Sequence, residues 1–299
     1  MQTQRTFLEE IKHQYKTGGV ITQLIAINLV VFLLASIAMV FWRLSLGEDV
    51  LIVQGYLGQV LALQTDFGQF IRHPWGLFTN MFSHFSFLHI LFNMIFLYMA
   101  GRIFLQFFSQ KRLLYTYIVG GLFGGLFELF SKLIPTLDPN PVLGASGSVM
   151  AIIVAVAFHK PGYKINLFGT IPVPMFLIAG LYFLSDFVKI GQDDGVAHFA
   201  HLGGAVLGMI SVLQLSSSSN IITRSIQVGE SFLALFKSKR KPIMKKASGN
   251  ARMKTDEQYN EESIDRQERV DRILDKISKS GYESLTRKEK DFLFKQSGK

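Results

Sequence analysis

The sequence predicts an all-α membrane protein: a bundle of six transmembrane helices followed by a small helical C-terminal tail. Composition is the first reason. Of 299 residues, 49% are hydrophobic and 18% charged, with a mean hydropathy of +0.29, whereas an ordinary soluble domain has about 25% charged residues. The second reason is that the apolar residues gather into long runs. Val20–Trp42 is 23 residues without a charge, enough to cross a hydrocarbon core about 30 Å thick. The third is a lopsided charge. Residues 1–215 hold 12 Lys+Arg and 10 Asp+Glu, a net +2, and residues 216–299 hold 19 and 12, a net +7. A nearly neutral apolar body therefore carries a basic tail. This excludes a disordered chain, a collagen-like chain and a plain cytosolic enzyme. With no cysteine, disulfides, thiol catalysis and cysteine-based metal sites are excluded too.

Residues 1–19 read as a cytoplasmic N-terminal segment. Val20–Trp42 is the first span, retained because no small-residue cleavage pattern follows it. Arg43–Pro74 is apolar but interrupted by Gly55, Gly58 and Gly68, too broken for a span. It is expected to lie in the interface or dip into the membrane edge. Further spans are expected at Phe85–Gly101, Leu113–Leu133, Ser146–Phe158, Leu167–Asp186 and Ala197–Leu215, closing a core over 20–215. Residues 216–255 read as a basic juxtamembrane linker. Its stretch Lys237–Lys246 has six basic residues and no acid, which anionic lipid would attract at about 1 kcal/mol per residue. Residues 256–299 read as a helical cytoplasmic tail. Val270, Ile273, Leu274 and Ile277 follow an i, i+3, i+4, i+7 pattern with Gly281 as a stop. Thr286 and Glu289 make a capping-box signature ahead of Phe292 and Leu293. This tail is either a solvated element or a site for a soluble partner.

The basic residues set the orientation. Arg5, Lys12, Lys16, Arg102, Lys111, Arg112, Lys160, Lys164 and the tail all fall on one side of a six-span chain. The positive-inside rule places that side, with both termini, in the cytoplasm. The zero cysteine count fits a bacterial inner membrane.

Polar groups inside spans are costly and are functional candidates by default. Ser146 lies in Gly144-Ala145-Ser146-Gly147 at the start of the fourth span, and His201 near the start of the sixth. His89 and Asn93 lie one turn apart in the second. These three spans enter from the same side, so at about 1.5 Å per residue all four groups fall in the outer half of the bilayer. Serine needs a base to become a nucleophile, and histidine is the usual one. The Asn93 amide, the His89 ring and the Ser146 N–H at a helix N-terminus could serve as oxyanion donors. No His-Glu-x-x-His pattern exists and no carboxylate shares this depth on the same helices, so neither metal nor cofactor is expected. The remaining polar residues have plainer readings. His198 is a hydrogen-bonded neighbour and His84 braces the long loop. Gly120, Gly121, Gly124, Gly125, Gly204 and Gly208 are helix contacts. Glu128 and Asp186 could orient His201, but solvation at the interface is the simpler role.

With these motifs in this order, the chain resembles the rhomboid family of intramembrane serine proteases. The marks are His89-x-x-x-Asn93, preceded by His84, then Gly144-Ala145-Ser146-Gly147, then Ala200-His201 with Gly204 and Gly208. The resemblance spans about residues 20–215, and the tail is similar to extensions behind the core of some bacterial members. It implies a six-helix core and a Ser–His dyad without a third acid. Ser146 would be the nucleophile, His201 the general base, and Asn93, His89 and the Ser146 N–H the oxyanion donors. Gly144, Gly147, Gly204, Gly208 and His84 would support the site. Three positions depart from the family pattern. Gly76 follows Trp75 where an arginine is usual, Met150 stands where an aromatic stacks on the histidine, and Leu105 replaces an acid.

The expected activity is therefore hydrolysis of peptide bonds in or beside transmembrane segments of other membrane proteins, at a site open to the outside. The expected partners are such substrates and membrane lipid, with no nucleic acid. The alternatives are a catalytically silent rhomboid-like protein that binds clients, and a small transporter.

Overall fold

The computed structural model describes residues 18–236, apart from 48, 138–139, 168–169, 193 and 216, and in the tail residues 270, 273, 276–277 and 282–297. The chain forms two compact units, residues 1–105 with 110–241, and residues 106–109 with 242–299.

The first unit is helical. Its helices are α1 (Gly19–Leu46), α2 (Val50–Leu61), α3 (Phe67–Arg72), α4 (Gly76–Thr79, running into a 3-10 turn at Asn80–Phe82), α5 (Phe87–Phe107), α6 (Gln110–Ser131), α7 (Ser146–His159), α8 (Met175–Val188), α9 (His198–Ser211) and α10 (Ile221–Phe236). Helices α1, α5 and α6, of 28, 21 and 22 residues, are long and apolar enough to cross a membrane. Helices α7, α8 and α9 have 14 residues each, about 21 Å of rise against a core of about 30 Å. The chain is thus an all-α membrane bundle in which half of the expected spans are short.

Helix α7 is the centre. Every residue from Gly147 to Ala157 is buried, which is why its sequence is apolar all round rather than striped. It packs between α6 and α9, and small residues set the spacing. A methyl on Gly120 of α6 would come 2.5 Å from the Ala151 Cβ, and one on Gly208 of α9 would come 2.5 Å from the Ala151 carbonyl oxygen. A methyl on Gly204 would collide with the Gly147 carbonyl.

The fifth expected span, Leu167–Asp186, is corrected at its start. Lys164–Leu167 and Ile171–Pro174 pair as an antiparallel hairpin, and α8 begins only at Met175. Pro172 and Pro174 lack the N–H and fit an edge strand or a helix start, not a helix interior. The sixth span stops at Ser211 rather than Leu215. The broken stretch after the first span holds α2 and α3, each capped by an aspartate. Asp49 accepts from Leu51 N and Asp66 from Gln69 N. The stretch read as a linker opens with α10, capped by Asn220, whose Oδ1 accepts from Ile222 N and Thr223 N. Arg112, counted among the cytoplasmic charges, is buried and donates to the Ser211 carbonyl and to Asn220 Oδ1. Buried Asn28 of α1 donates to Tyr117 Oη, which donates to the Met81 carbonyl, tying α1 and α6 to the turn before α5.

In the second unit, Thr286 and Glu289 form the capping box at the start of α11 (Arg287–Ser297). Thr286 N donates to the Glu289 carboxylate at 2.7 Å, and Glu289 N to Thr286 Oγ1 at 3.4 Å. Lys237–Lys246, Leu274 and Gly281 lie outside the described residues.

Candidate active site

The loop that delivers Ser146 is tied down at three successive points. Val142 and Leu63 exchange both backbone hydrogen bonds at 2.9 Å. Gly144 N donates to the Asn80 carbonyl at 2.9 Å. Ala145 N donates to His84 Nε2 at 3.3 Å. His84 is fully buried, and burial, with His89 alongside, pushes its imidazole down to about 3. A neutral ring offers the lone pair that the Ala145 N–H needs. His84 thus braces the serine loop. Gly144 has φ +126° and lies so close to His89 that a Cβ would be 2.7 Å from the ring. Both facts demand glycine there.

Ser146 opens α7, so its own N–H is among those left free at a helix start. His201 lies one turn into α9. Their neighbours touch: a Cβ on Gly147 would sit 3.1 Å from the Ala200 carbonyl oxygen. Ser146, His201, His89 and Asn93 all line one cavity of about 880 Å³. Thr136, Asn140 and Gln192 line it as well, so it continues up between the loops that connect the helices. The described residues make no hydrogen bond between Ser146 and the His201 ring, a looser juxtaposition than a poised pair. Catalytic contacts are often long before substrate binds. Asn93 Nδ2 donates to the His89 carbonyl, one turn back, at 2.9 Å, leaving its second N–H available. The His89 ring meets the His84 ring edge-on, centroids 5.0 Å apart.

Two acids have other roles than interfacial solvation. Glu128 of α6 is 5% exposed and accepts from Ala200 N at 2.9 Å, capping the start of α9 from another helix. Asp186 of α8 is 3% exposed, and its Oδ1 lies 2.9 Å from His201 Nδ1 and 2.8 Å from His198 Nδ1. His198 Nε2 in turn lies 3.2 Å from Asp194 Oδ1. The ligand atoms of Asp186, His198 and His201 lie within 4.8 Å of one another, and among the described residues this is a group that could hold a metal ion.

Two of the three departures have a structural counterpart. A side chain on Gly76 would collide with the Ala62 carbonyl, so no arginine fits there, while Trp75 Nε1 donates to the Val60 carbonyl at 2.9 Å. Met150 is buried, and the aromatic against His201 comes instead from α8: the Tyr182 ring lies edge-on at 5.7 Å and 67°. Nothing in the structure explains Leu105.

Comparison with known proteins agrees with this architecture. Residues 72–218 match the Rhomboid domain family, and residues 254–299 match a family of unknown function. The chain is 34% identical to RHOMBOID-like protein 12, mitochondrial, of Arabidopsis thaliana over 149 residues, 45% of this chain and 44% of that protein. It is 27% identical to the human presenilin-associated rhomboid-like protein, mitochondrial, over 44% of this chain and 35% of that one. It is also 27% identical to Rhomboid protein 1, mitochondrial, of Saccharomyces cerevisiae, over 52% and 45%. The matched region is thus less than half of each relative's length. These relatives are mitochondrial by name, and they lend nothing to the expectation of a bacterial inner membrane or a bacterial type.

Proposed function

Because the chain belongs to the rhomboid family, we propose that it is an intramembrane serine endopeptidase, cutting other membrane proteins in or next to their transmembrane segments. The observation that carries this is a single cavity lined both by Ser146, at the first turn of a buried helix, and by His201.

Ser146 Oγ attacks the scissile carbonyl while its proton passes to His201 Nε2. The oxyanion is met by the Ser146 N–H, the free Asn93 amide hydrogen and the His89 ring, groups placed where charge develops. His201 then protonates the leaving amine, and a water entering between the loops hydrolyses the acyl-enzyme. A regular helix shields its amides, so the segment cut is locally unwound, with Gly, Pro or polar residues near the bond. The positive-inside reading puts the site toward the outside of the membrane.

The test is Ser146→Ala in the full chain in proteoliposomes with a reporter membrane substrate. Cleavage should vanish while the protein still inserts, and unchanged turnover would overturn the assignment. The competing reading is client binding without cleavage, favoured by the absence of a Ser146–His201 hydrogen bond. It predicts that wild-type and Ser146→Ala proteins bind a substrate segment equally and that neither cuts it.

A further inference from the structure

Helix α8 holds the His201 ring in two places. Tyr182 and Asp186 are four residues apart, hence on one face of α8, and both reach the ring. Asp186 Oδ1 lies 2.9 Å from Nδ1, and the Tyr182 ring lies edge-on with centroids 5.7 Å apart. Asp186 and His201 are 3% and 6% exposed, so water does not compete for the bond between them.

The contact fixes which nitrogen carries the proton. A carboxylate only accepts, so Nδ1 must donate, and Nε2 keeps its lone pair. That is the tautomer a general base needs, because Nε2 is the ring nitrogen left to take the serine proton. The Asp186 oxygen is shared with His198 Nδ1 at 2.8 Å, and His198 is held at its far nitrogen by Asp194. One oxygen has two lone pairs, so serving His198 does not cost His201 its partner. His198 and Asp194 fix the carboxylate from the other side.

We propose that Asp186 is a positioning residue for His201, so that Ser146, His201 and Asp186 work as a triad rather than the two-residue pair that the family resemblance implies. This rests on the protease reading above and extends it to a third helix. It makes α8 part of the reaction machinery: moving that helix away from α9 would release the base.

The experiment uses the full chain in proteoliposomes, comparing wild type with Asp186→Asn and Asp186→Glu. A fluorophosphonate end point on Ser146 counts the correctly folded sites, so that kcat is given per competent site. An amide in place of the carboxylate keeps the shape but no longer enforces the tautomer. On the serine-protease template kcat should fall about 10²- to 10⁴-fold with KM nearly unchanged. Asp186→Glu should recover part of kcat, because it restores a carboxylate. Wild-type kcat in Asp186→Asn would overturn the proposal. So would equal losses in both variants that disappear once folded sites are counted. Loss of wild-type activity on chelation with EDTA would also overturn it, since a metal at these atoms would replace the Nδ1 proton. A wild-type Ser146 that takes no fluorophosphonate and cuts nothing is a different failure, that of the protease reading itself.

Discussion

Replacing Gly204 by alanine tests whether the spacing of α7 and α9 sets the chemistry. A Cβ at Gly204 would run into the Gly147 carbonyl, lying 2.9 Å from its carbon and 3.1 Å from the Gly147 Cα. The carbon alone falls 0.5 Å short of ordinary contact at 3.4 Å, and the oxygen falls further short. Both obstacles are backbone on a helix buried on every side, so neither can rotate away; the helices must part. Overpacking of this kind costs about 1–3 kcal/mol. The kinetic cost is larger, because Gly147 adjoins Ser146 and Gly204 lies one turn from His201. A displacement of about 1 Å between reacting groups can cost on the order of 10² in rate. The Gly204→Ala protein, reconstituted with a reporter membrane substrate, should therefore lose about 10²-fold in kcat and unfold at a lower temperature. Gly180→Ala on α8 is the control, since a Cβ there meets nothing within 4 Å. It should keep its activity and gain about 0.5–1 kcal/mol from helix propensity. Wild-type kcat in Gly204→Ala would refute the claim that this contact holds Ser146 against His201.

Three further outcomes are expected. Glu128→Ala leaves the buried Ala200 N–H without its acceptor and should destabilise the fold by about 1–3 kcal/mol. Glu128→Gln keeps an acceptor oxygen and should lose less in thermal unfolding, so equal losses would discount the cap. His84 gives a pH dependence with a definite sign: its folded pKa is about 3 against 6.5 for an ordinary histidine. The unfolded chain then takes up the proton first, and stability present above pH 6.5 should erode as the pH falls toward 3. His84→Gln should show a flatter acid limb in its melting temperatures, and an identical limb would show that His84 is not the cause. In the tail, the hydrogen bond from the Thr286 N–H holds the Glu289 carboxyl down to about 2. Its contribution to α11 should be whole above pH 4.5, erode as the pH falls below 4.5 and be gone below about 2. Protection factors of the Thr286 and Glu289 amides report this, and protection that stays constant from pH 4.5 to 2 would contradict it.

The sequence was most legible where chemistry and spacing coincide. The polar residues Ser146, His201, His89 and Asn93 each break an apolar run, and the fold gathers them around one cavity. The capping box at Thr286 and Glu289 was legible because it is local, with both partners within one turn. Asp186 was legible only as the lesser of two readings, for two reasons. It ends an apolar run just as an interfacial acid would, and its partner is 15 residues away across a loop whose path no periodicity reports. Glu128 hid in the same way, since an acid that caps a different helix leaves no mark on its own. The helix expected over Leu167–Asp186 failed where Pro172 and Pro174 alternate with Ile171 and Val173. Hydropathy counts those residues as span, whereas the missing N–H groups make them strand. The exchange of roles between Met150 and Tyr182 was invisible too, because a ring neighbour can come from either flanking helix.

In the proposed reaction the Ser146 hydroxyl is activated by the His201 imidazole inside the cavity that both residues line. The most direct test treats the full chain in lipid bilayers with a fluorophosphonate and locates the adduct by mass spectrometry. One adduct is expected, on Ser146, and it should be lost in His201→Ala while that variant remains folded. A folded wild-type protein that carries no adduct on Ser146, or a His201→Ala protein labelled as fast as wild type, would contradict it.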